Sequence, residues 1–408
     1  MKKRTSYVTV FLLTLSAVLF AGLLALFVFS AASSSPAVPA GEAQPLTIAE
    51  KIPDGSVPSG GLPPFPEDDP STAGTTDTGK AAPATEDRSS VTLAFAGDLL
   101  FDENYATGIA LRNRGIAGCF DEAALDVMRS ADLLMVNNEF CYIDQGTPLP
   151  DKQYTLHAKT DTAEWLKEIG ADLVSIANNH VYDYGEEGLL RTLDTLKSIN
   201  MPYVGAGRNI AEAARPYILE AGGMKIAILC ATQIERYPVP DTKGATVDSP
   251  GVFRVYDMTP LYEKVREVKQ TADFVAVYIH WGNEKESVPV AAQTDSAKEL
   301  EAAGADLVIG DHPHVLQPVS FVNEMPVFYS MGNFLFTSYS TDTGLAYITL
   351  DTKAKKISNI RFLPMRQENT AVHLLTGDDK QQLLQKMQAM SQDVIIDADG
   401  NIQKRRKS

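Results

Sequence analysis

The chain has 408 residues, a formal net charge of −16, 44% hydrophobic residues and three cysteines. This composition excludes collagen-like, disulfide-rich and wholly disordered proteins, and the length suits one large domain or two ordinary ones. The acidic balance argues against a nucleic-acid-binding protein, because binding phosphates needs a basic surface. The charge divides unevenly, with −3 over residues 1–90, −17 over residues 91–403 and +4 over residues 404–408.

The first 30 residues have the pattern of a membrane anchor. Three basic residues, Lys2, Lys3 and Arg4, precede 24 uncharged residues from Tyr7 to Ser30. As a helix, this segment would be about 36 Å long, which is enough to cross a hydrocarbon core of roughly 30 Å. We therefore predict a signal anchor over residues 1–30 that leaves the rest of the chain outside the cell membrane. Small residues around Ser30 leave signal-peptide cleavage open as the alternative.

Residues 31–90 are predicted to form a disordered linker. They hold ten of the 23 prolines and bury too little apolar surface to offset the entropy lost on ordering. Residues 91–403 are then the folded domain, and residues 404–408 form a basic tail that we expect to project into solvent. Three cysteines leave the pairing open, with Cys119 and Cys141 nearest in sequence for a single disulfide.

Short apolar runs alternate with amphipathic helical patterns along the folded part. The predicted strands are Val91–Ala96, Leu133–Val136, Asp172–Ile176, Lys225–Cys230, Asp273–Ile279, Asp306–Ile309 and Val327–Tyr329. The predicted helices are Asp121–Ser130, Thr162–Ile169, Gly185–Ile199, Thr259–Thr271 and Thr294–Ala303. This alternation predicts βαβ units and a largely parallel sheet covered by helices. Near the end, Thr343–Leu350 and Lys356–Met365 are predicted to pair as antiparallel strands before a last helix, Gln381–Ser391.

Polar residues collect directly after the predicted strands, where an α/β sheet places its ligand crevice. The five motifs are Gly97-Asp98, Asn137-Asn138-Glu139, Asn178-Asn179-His180 with Asp183 following, His280-Trp281-Gly282 and Gly310-Asp311-His312-Pro313-His314. Taken singly, most of these residues have an ordinary structural explanation. Asp98 could cap a helix, Glu139 could be a solvated surface carboxylate, and His280 could be a histidine of the core. His312 and His314 carry more weight, because side chains two residues apart in an extended chain point the same way.

Taken together, the motifs predict a metal site. Four of the six histidines follow strands, and Asp98 and Glu139 supply carboxylates at the same edge of the sheet. Imidazole, carboxylate and amide oxygen suit a divalent ion such as Zn, Mn or Fe. His157 and His373 lack such a context, and we predict that both are structural.

As an ordered set, the five motifs resemble those of the bacterial capsule-synthesis family (CapA, poly-γ-glutamate synthesis), whose domain is similar to calcineurin-like metallophosphoesterases. The match runs from about Thr92 to Phe336, and an N-terminal membrane anchor with a linker is common in the family. The resemblance implies an α/β fold of the metallophosphoesterase type, a layered αββα sandwich, preceded here by one transmembrane helix.

Carried over residue by residue, the resemblance implies one or two divalent ions, Mn, Fe or Zn. The matching metal ligands are Asp98, Glu139, Asn179, His280, His312 and His314. His180 matches the histidine that assists the leaving group, Asp183 is the residue expected to orient it, and Asn137, Asn178 and Asn333 are candidate substrate-binding residues. Leu100 stands where the phosphoesterase pattern has a histidine, and Glu139 where it has an aspartate, so one well-held ion is the safer expectation.

Three functions follow from this reading. The first is an extracellular metal-dependent hydrolase acting on anionic capsule or envelope polymer, in which the ion lowers the pKa of a bound water and His180 protonates the leaving group. The second is a non-catalytic polymer-binding or export component that works with other membrane subunits of capsule synthesis; the acidic domain favours it. The third is an enzyme that cleaves or transfers γ-glutamyl amides, but neither Cys141 nor Ser330 lies in a nucleophile motif.

Overall fold

A computed structural model describes residues 88–150, 152–234 and 242–406. The predicted anchor over residues 1–30 lies outside the described residues, as does the predicted linker except for its last three positions. Among the residues that are described, no helix is both long and apolar enough to cross a membrane.

The described residues form a mixed α/β fold, as predicted. The strands are β1 (Ser90–Leu99), β2 (Leu133–Asn138), β3 (Cys141–Tyr142), β4 (His157–Ala158), β5 (Leu173–Ser175), β6 (Tyr203–Val204), β7 (Ala206–Gly207), β8 (Tyr217–Ala221), β9 (Met224–Thr232), β10 (Gly251–Val252), β11 (Phe274–His280), β12 (Leu307–Asp311), β13 (Val319–Val322), β14 (Met325–Phe328), β15 (Asn333–Leu335), β16 (Thr341–Asp351), β17 (Lys356–Glu368), β18 (Ala371–Leu374), β19 (Val394–Ile396) and β20 (Ile402–Lys404). The helices are α1 (Ala106–Arg114), α2 (Glu122–Ser130), α3 (Glu164–Glu168), α4 (Gly185–Ser198), α5 (Ile210–Ala213), α6 (Thr259–Lys269), α7 (Ala291–Ala303) and α8 (Gly377–Met390).

The first sheet has eight strands. Its order is β18-β17-β16-β1-β2-β5-β6, and β15 also pairs with β1. Strands β1, β2, β5 and β6 are parallel, whereas β16 runs antiparallel to β1. The carboxyl ends of β1, β2 and β5 therefore meet at one edge, with Asp98 in register with Asn137.

The second sheet has six strands in the order β13-β14-β12-β11-β9-β8. Strands β9, β11, β12 and β14 are parallel, and β8 and β13 add antiparallel edges. The single, largely parallel sheet predicted from the alternation is therefore wrong, whereas the αββα sandwich that the resemblance implied has two sheets, as observed here. Alternating strand and helix patterns identify parallel units, but they do not reveal that the chain leaves the first sheet after β6 and starts another at β8.

The two sheets share an apolar core, and β1 shows how the sequence builds it. Leu93 and Phe95 pack with Tyr278 of the second sheet, whereas Ala94 and Ala96 belong to the core on the opposite face of the first sheet. Alternate residues of a strand point to opposite faces, so a strand buried on both sides is apolar at nearly every position.

Helices cover the outer face of each sheet. Ala124 of α2 and Leu193 of α4 pack in the outer core of the first sheet. Leu261 of α6 and Leu300 of α7 pack with Val277 in the outer core of the second sheet. The layers are therefore helices, sheet, sheet and helices.

Most predicted elements are observed with boundaries shifted by a few residues. All seven predicted strands fall on observed ones, β16 and β17 form the predicted antiparallel pair, and each of the six predicted helices overlaps an observed one. The helix predicted over Thr162–Ile169 is shortened to α3, because a 3-10 turn over Thr160–Ala163 precedes it. Helix α1 and the edge strands β8, β13 and β18 are additional elements that the sequence pattern does not predict.

The C-terminal basic segment is partly ordered. Lys404 ends β20 and forms an ion pair with Glu324 at 2.8 Å, and the backbone N–H of Arg405 donates to the carbonyl of Asp393. The expectation that residues 404–408 project freely is therefore wrong for Lys404 and Arg405. The three cysteines are buried and unpaired, so the open alternative of a disulfide is not observed.

Candidate metal centre

The carboxyl ends of the two sheets lie side by side and bring the predicted residues together. The first sheet contributes Asp98 from β1, Glu139 after β2 and Asn179 after β5, whereas the second contributes His280 from β11 and His312 after β12. Each of these five residues is at most 5% exposed. His314, half-buried, completes the group. The site therefore straddles the interface between the sheets.

Gly97 allows this arrangement at the end of β1. A Cβ atom on Gly97 would overlap the carbonyl oxygen of Gly332, which accepts a hydrogen bond from the backbone N–H of Asp98 at 3.1 Å. Asp98 is consequently held in register between Asn137 of β2 and Asn333 of β15. Glycine is needed at position 97 because two backbone segments approach each other there.

Two buried asparagines hold Asp98 in place through a chain of hydrogen bonds. The Nδ2 of Asn137 donates to Asp98 Oδ1 at 2.9 Å, and the Nδ2 of Asn178 donates to Asn137 Oδ1 at 3.0 Å. Asn178 Oδ1 in turn accepts from the backbone N–H of His180. Neither asparagine is exposed. The contacts give both a role in holding Asp98 and the His180 segment, whereas Asn333, beside His314, lies nearer the surface.

His312 and His314 have left-handed backbone conformations, with φ angles of 90° and 58°. The extended chain predicted for this pair is therefore wrong. Non-glycine residues with positive φ are uncommon and collect at functional sites. Here, the strained bend directs His314 Nδ1 to within 3.0 Å of Asp98 Oδ2 and 2.8 Å of Asn333 Oδ1, while Phe336 stacks on the His314 ring.

His280 lies at the centre of the cluster. Its Nε2 is 2.8 Å from Asn179 Oδ1, 3.1 Å from His312 Nδ1 and 3.5 Å from Glu139 Oε1. Its Nδ1 is 2.9 Å from Asp311 Oδ1. Several nitrogen and oxygen ligand atoms of the predicted set therefore converge on one side of this ring.

Glu139 is the residue whose environment points most directly to a cation. It is fully buried, and neither carboxylate oxygen has a hydrogen-bond partner among the described residues. The Oδ2 of buried Asp311 also lacks a partner there. Burying carboxylate oxygens without partners is costly, and a bound cation would satisfy them.

The carboxyl groups of the cluster have strongly perturbed pKa values. Burial raises the pKa of Glu139 well above its ordinary value, and the nearby charges of Asp98 and Asp311 raise it further. Burial also raises the pKa of Asp311, again with a contribution from Asp98. Burial opposes ionisation of Asp98 too, but the hydrogen bond and charge of His314 hold its pKa below the usual value.

The pKa values of the three histidines in the cluster also shift in different directions. Burial lowers the pKa of His280 and of His312 well below the ordinary value, so both rings are neutral. Burial acts on His314 as well, but its hydrogen bond to Asp98 and the charge of that carboxylate raise the His314 pKa overall. Neutral imidazoles are the form that binds a metal.

The residues fit a divalent cation. Two groups of three residues, Glu139 with His312 and His314, and Asp98 with His280 and Asp311, each offer ligand atoms within 4.8 Å of one another. Carboxylate oxygens with imidazole nitrogens suit Zn, Mn or Fe. The structure therefore supports the use of a divalent metal, without distinguishing among these ions.

His180 lies beside the cluster and is held by Asp183. The Nδ1 of His180 is 2.7 Å from Asp183 Oδ2, which also accepts the backbone N–H of Leu156 at 2.6 Å. The amino group of Lys152 donates to the other Asp183 oxygen and to the carbonyl of Asn179. Burial lowers the pKa of His180, and the charge of Asp183 partly offsets this.

Two residues of this site were missed by sequence reasoning. Asp311 stands inside the Gly-x-His-x-His motif but was given no role, although its place at the end of a predicted strand, directly before His312, offered a signal. Lys152 is a single lysine in a loop, and nothing in the local pattern marks it. His157 and His373 lie elsewhere: His157 contacts the hydroxyl of Tyr184 at 2.9 Å, and His373 is largely exposed.

Comparison with known proteins identifies the family. The family model described as bacterial capsule synthesis protein PGA_cap matches residues 92–338, which include all five motifs. This chain belongs to the PGA_cap family. It is 34% identical over 196 residues to the PGA biosynthesis protein CapA of Bacillus subtilis, covering 47% of this chain and 50% of that protein.

Other PGA_cap relatives are similar over comparable stretches. The capsule biosynthesis protein CapA of Bacillus anthracis is 35% identical over 196 residues, which is 47% of each chain. The chain thus spans about half the length of these two Bacillus relatives. A probable polyglutamine synthesis accessory protein of Mycobacterium tuberculosis is 23% identical over 277 residues, or 64% of this chain and 73% of that protein.

Solved structures show a more distant similarity. A novel phosphatase from Mycoplasma pneumoniae has 15% identity and a TM-score of 0.44, covering 69% of this chain and 95% of that one. A hypothetical protein from Thermus thermophilus has 15% identity and a TM-score of 0.42, covering 68% and 100%.

Proposed function

We propose that this PGA_cap protein assists capsule or poly-γ-glutamate synthesis through a metal-dependent, phosphoesterase-like hydrolase site. The observation that carries the proposal is the convergence of three buried carboxylates with His280 and His312. Within the described part of the chain, neither oxygen of Glu139 has a hydrogen-bond partner. Such a cluster destabilises the fold unless a ligand compensates for it, which is typical of a functional site. The names of the Bacillus and Mycobacterium relatives support capsule or glutamate polymer as the biological context.

The proposed ligands of the cation are Asp98, Glu139, Asn179, His280, His312 and His314. A bound Mn, Fe or Zn ion supplies positive charge that polarises a phosphoryl or acyl group of the substrate. Asn137 holds Asp98 in place, and the strained bend at His312 and His314 fixes both rings. The protein thus orients the ligands before the cation arrives.

His180 is the proposed proton-transfer residue. Because Asp183 accepts the Nδ1 hydrogen bond, Nε2 is the nitrogen left to exchange a proton with the leaving group. Asp183 is itself fixed by Leu156 and Lys152. The ring therefore keeps one orientation relative to Asn179, its neighbour in the chain.

The location and partners are also proposals. The uncharged segment Tyr7–Ser30 after three basic residues supports a single-pass anchor in the cell membrane, with the domain extracellular. Residues 31–90 would then separate the domain from the bilayer. We propose anionic capsule or envelope polymer as the material acted on, and other capsule-synthesis membrane subunits as partners.

One observation favours a non-catalytic, polymer-binding or export role as the second candidate. Leu100 replaces a histidine of the phosphoesterase pattern, and it is buried in the outer apolar core of the first sheet. One metal position therefore has fewer protein ligands than the pattern provides.

The first experiment is a measurement of metal content. The full chain is compared with His312→Ala and with His157→Ala, a histidine outside the cluster. We expect about one or more Mn, Fe or Zn ions per chain in the wild type and in His157→Ala, and loss in His312→Ala. A folded wild-type chain that takes up neither added Mn²⁺ nor Zn²⁺ contradicts the proposal.

The second experiment separates catalysis from binding. The metal-loaded chain is assayed with phosphoesters and γ-glutamyl peptides, and His180→Asn is assayed beside it. We expect His180→Asn to lose at least about 100-fold in turnover while keeping its metal. A wild type that is fully loaded but turns over neither substrate class favours the polymer-binding role.

A further inference from the structure

Asp311 is the buried carboxylate that the predicted ligand set leaves out. It ends β12 beside His280 at the end of β11, and the two residues occupy paired positions in the parallel ladder. Neighbouring residues in register on adjacent strands present their side chains to the same face. Both are at most 1% exposed, and Asp311 Oδ1 lies 2.9 Å from His280 Nδ1.

The backbone fixes Asp311 from both sides. The N–H of Trp281 donates to the Asp311 carbonyl at 3.2 Å, and the N–H of Met331 donates to the carbonyl of Gly310 at 2.9 Å. A Cβ atom on Gly310 would overlap Tyr329 and the Trp281 ring. The carboxylate is therefore carried by a rigid strand end rather than by a loop.

The two nitrogens of His280 have different neighbours. Nε2 lies within 3.5 Å of Asn179, His312 and Glu139, all of which are proposed ligands. Nδ1 contacts Asp311. A neutral imidazole carries one proton, so donating from Nδ1 leaves the lone pair on Nε2.

We propose that Asp311 is a positioning residue that holds His280 in the Nδ1-protonated tautomer and thereby presents Nε2 to the cation. The proposal rests on the metal site of the proposed function and adds the residue that selects its ligand atom. Carboxylates that accept a hydrogen bond from a ligating histidine raise its basicity, and removing them weakens metal binding about 10–100-fold.

The test compares Asp311→Ala and Asp311→Asn with Asp102→Asn in the full chain. Asp102 is a matched buried carboxylate outside the cluster that accepts backbone hydrogen bonds from Asn104 and His157. Zinc affinity is measured by chelator competition, and the ¹⁵N signals of His280 are recorded in zinc-loaded, ¹⁵N-histidine-labelled protein. Circular dichroism checks that each variant is folded.

We expect Asp311→Ala to bind zinc about 10–100-fold more weakly and to lose the Nδ1-protonated signature of His280. Asp311→Asn, whose amide oxygen still accepts the hydrogen bond, should retain that signature with a smaller loss of affinity. Asp102→Asn should match the wild type in both measurements.

Three results would overturn the inference. Zinc affinity of folded Asp311→Ala within twofold of the wild type, or an unchanged His280 signature, removes the positioning role. Equal loss of one whole zinc ion in Asp311→Ala and Asp311→Asn identifies Asp311 as a direct ligand instead. A wild type that itself binds neither zinc nor manganese contradicts the proposed function, and this outcome is distinct because all four proteins then behave alike.

Discussion

Three buried carboxyl groups close together set the chemistry of this protein at the residue scale. Asp98 is ionised through His314, whereas burial and mutual repulsion raise the pKa of Glu139 and Asp311. A histidine or amide that satisfied these carboxylates from within the fold would have stabilised it. Asn137 and His314 do this for Asp98, and His280 does it for one oxygen of Asp311. Both oxygens of Glu139 and the Oδ2 of Asp311 have no hydrogen-bond partner among the described residues, which is typical of a site rather than of a core network.

Replacing Glu139 by glutamine is expected to stabilise the metal-free fold. Because the folded-state pKa is raised, the contribution of Glu139 to stability is present at low pH and is lost as pH rises through that pKa. At neutral pH, Glu139→Gln should therefore gain about 1–3 kcal/mol in the free energy of unfolding, measured by urea titration with chelator present. Exposed Glu299→Gln should change it by less than about 0.5 kcal/mol. A large loss of stability in Glu139→Gln would show that the carboxylate is structural.

Metal affinity is expected to fall with decreasing pH. The cation needs Glu139 ionised, and a raised pKa means that binding must displace a proton. Below the folded-state pKa, affinity should drop about tenfold per pH unit for each proton displaced. Because burial lowers the pKa of His280 and His312, their protonation does not cause the decline near neutrality. His314, whose pKa the Asp98 carboxylate raises, must also lose a proton to bind the cation and adds to the decline. Zinc titrations at pH 6, 7 and 8 measure the slope, and a flat profile would disprove the link.

At the scale of secondary-structure elements, the site depends on the backbone conformation at the ends of β1 and β12. Strand β15 closes over the end of β1 because Gly97 has no side chain, and this contact sets Asp98 between two asparagines. The bend after β12 places His312 and His314 in left-handed conformations. The orientation of the proposed ligands Asp98, His312 and His314 therefore depends on local backbone geometry and not on side-chain packing alone.

Alanine at position 97 tests this dependence. Gly97→Ala should destabilise the protein by about 1–3 kcal/mol through overpacking and should weaken metal binding, because Asp98 shifts with the displaced backbone. Gly223→Ala is the control: unlike Gly97 it has a positive φ, of 72°, but no atom of the described residues lies within 4 Å of the added methyl, so it should cost only about 1 kcal/mol and leave the metal unaffected. Urea titration and metal content compare the two variants. Normal metal content in Gly97→Ala would contradict the argument.

At the scale of the whole molecule, the proposed ligands come from both sheets. Asp98, Glu139 and Asn179 belong to the first sheet, and His280 and His312 to the second. The two sheets also share one apolar core. A cation bound at their common edge would join the two sheets, so that metal binding and folding of the domain are coupled.

Metal binding is therefore expected to stabilise the entire domain. At a free metal concentration 100 times the dissociation constant, the gain is about 2.7 kcal/mol, seen as a higher melting temperature by circular dichroism. Chelator should reverse the shift, and His312→Ala should not respond to added metal. If metal leaves the melting temperature of the wild type unchanged, the cation does not bind the native state.

The sequence was sufficient to predict which polar residues the fold brings together, because these residues follow strands. Apolar runs such as Asp273–Ile279 predict a strand, and the carboxyl ends of parallel strands meet at one edge. His280 and Asp98 are thus expected near each other even though 182 positions separate them. The strand and helix pattern did not predict the division into two sheets, which only the family resemblance implied, because the antiparallel edges β8 and β13 depend on which strands pair rather than on local pattern.

By itself, the sequence determined the types of element, the family and the polar residues that gather at the strand ends, since these depend on local periodicity and on motif order. The tertiary structure alone decided how those residues are used. Asp311 acquires its contact with His280 only through strand register, and Lys152 reaches Asp183 only because a loop folds back over the site. The pKa values of Glu139 and His280 are likewise set by burial and by neighbours that are distant in the chain, and no local pattern encodes them.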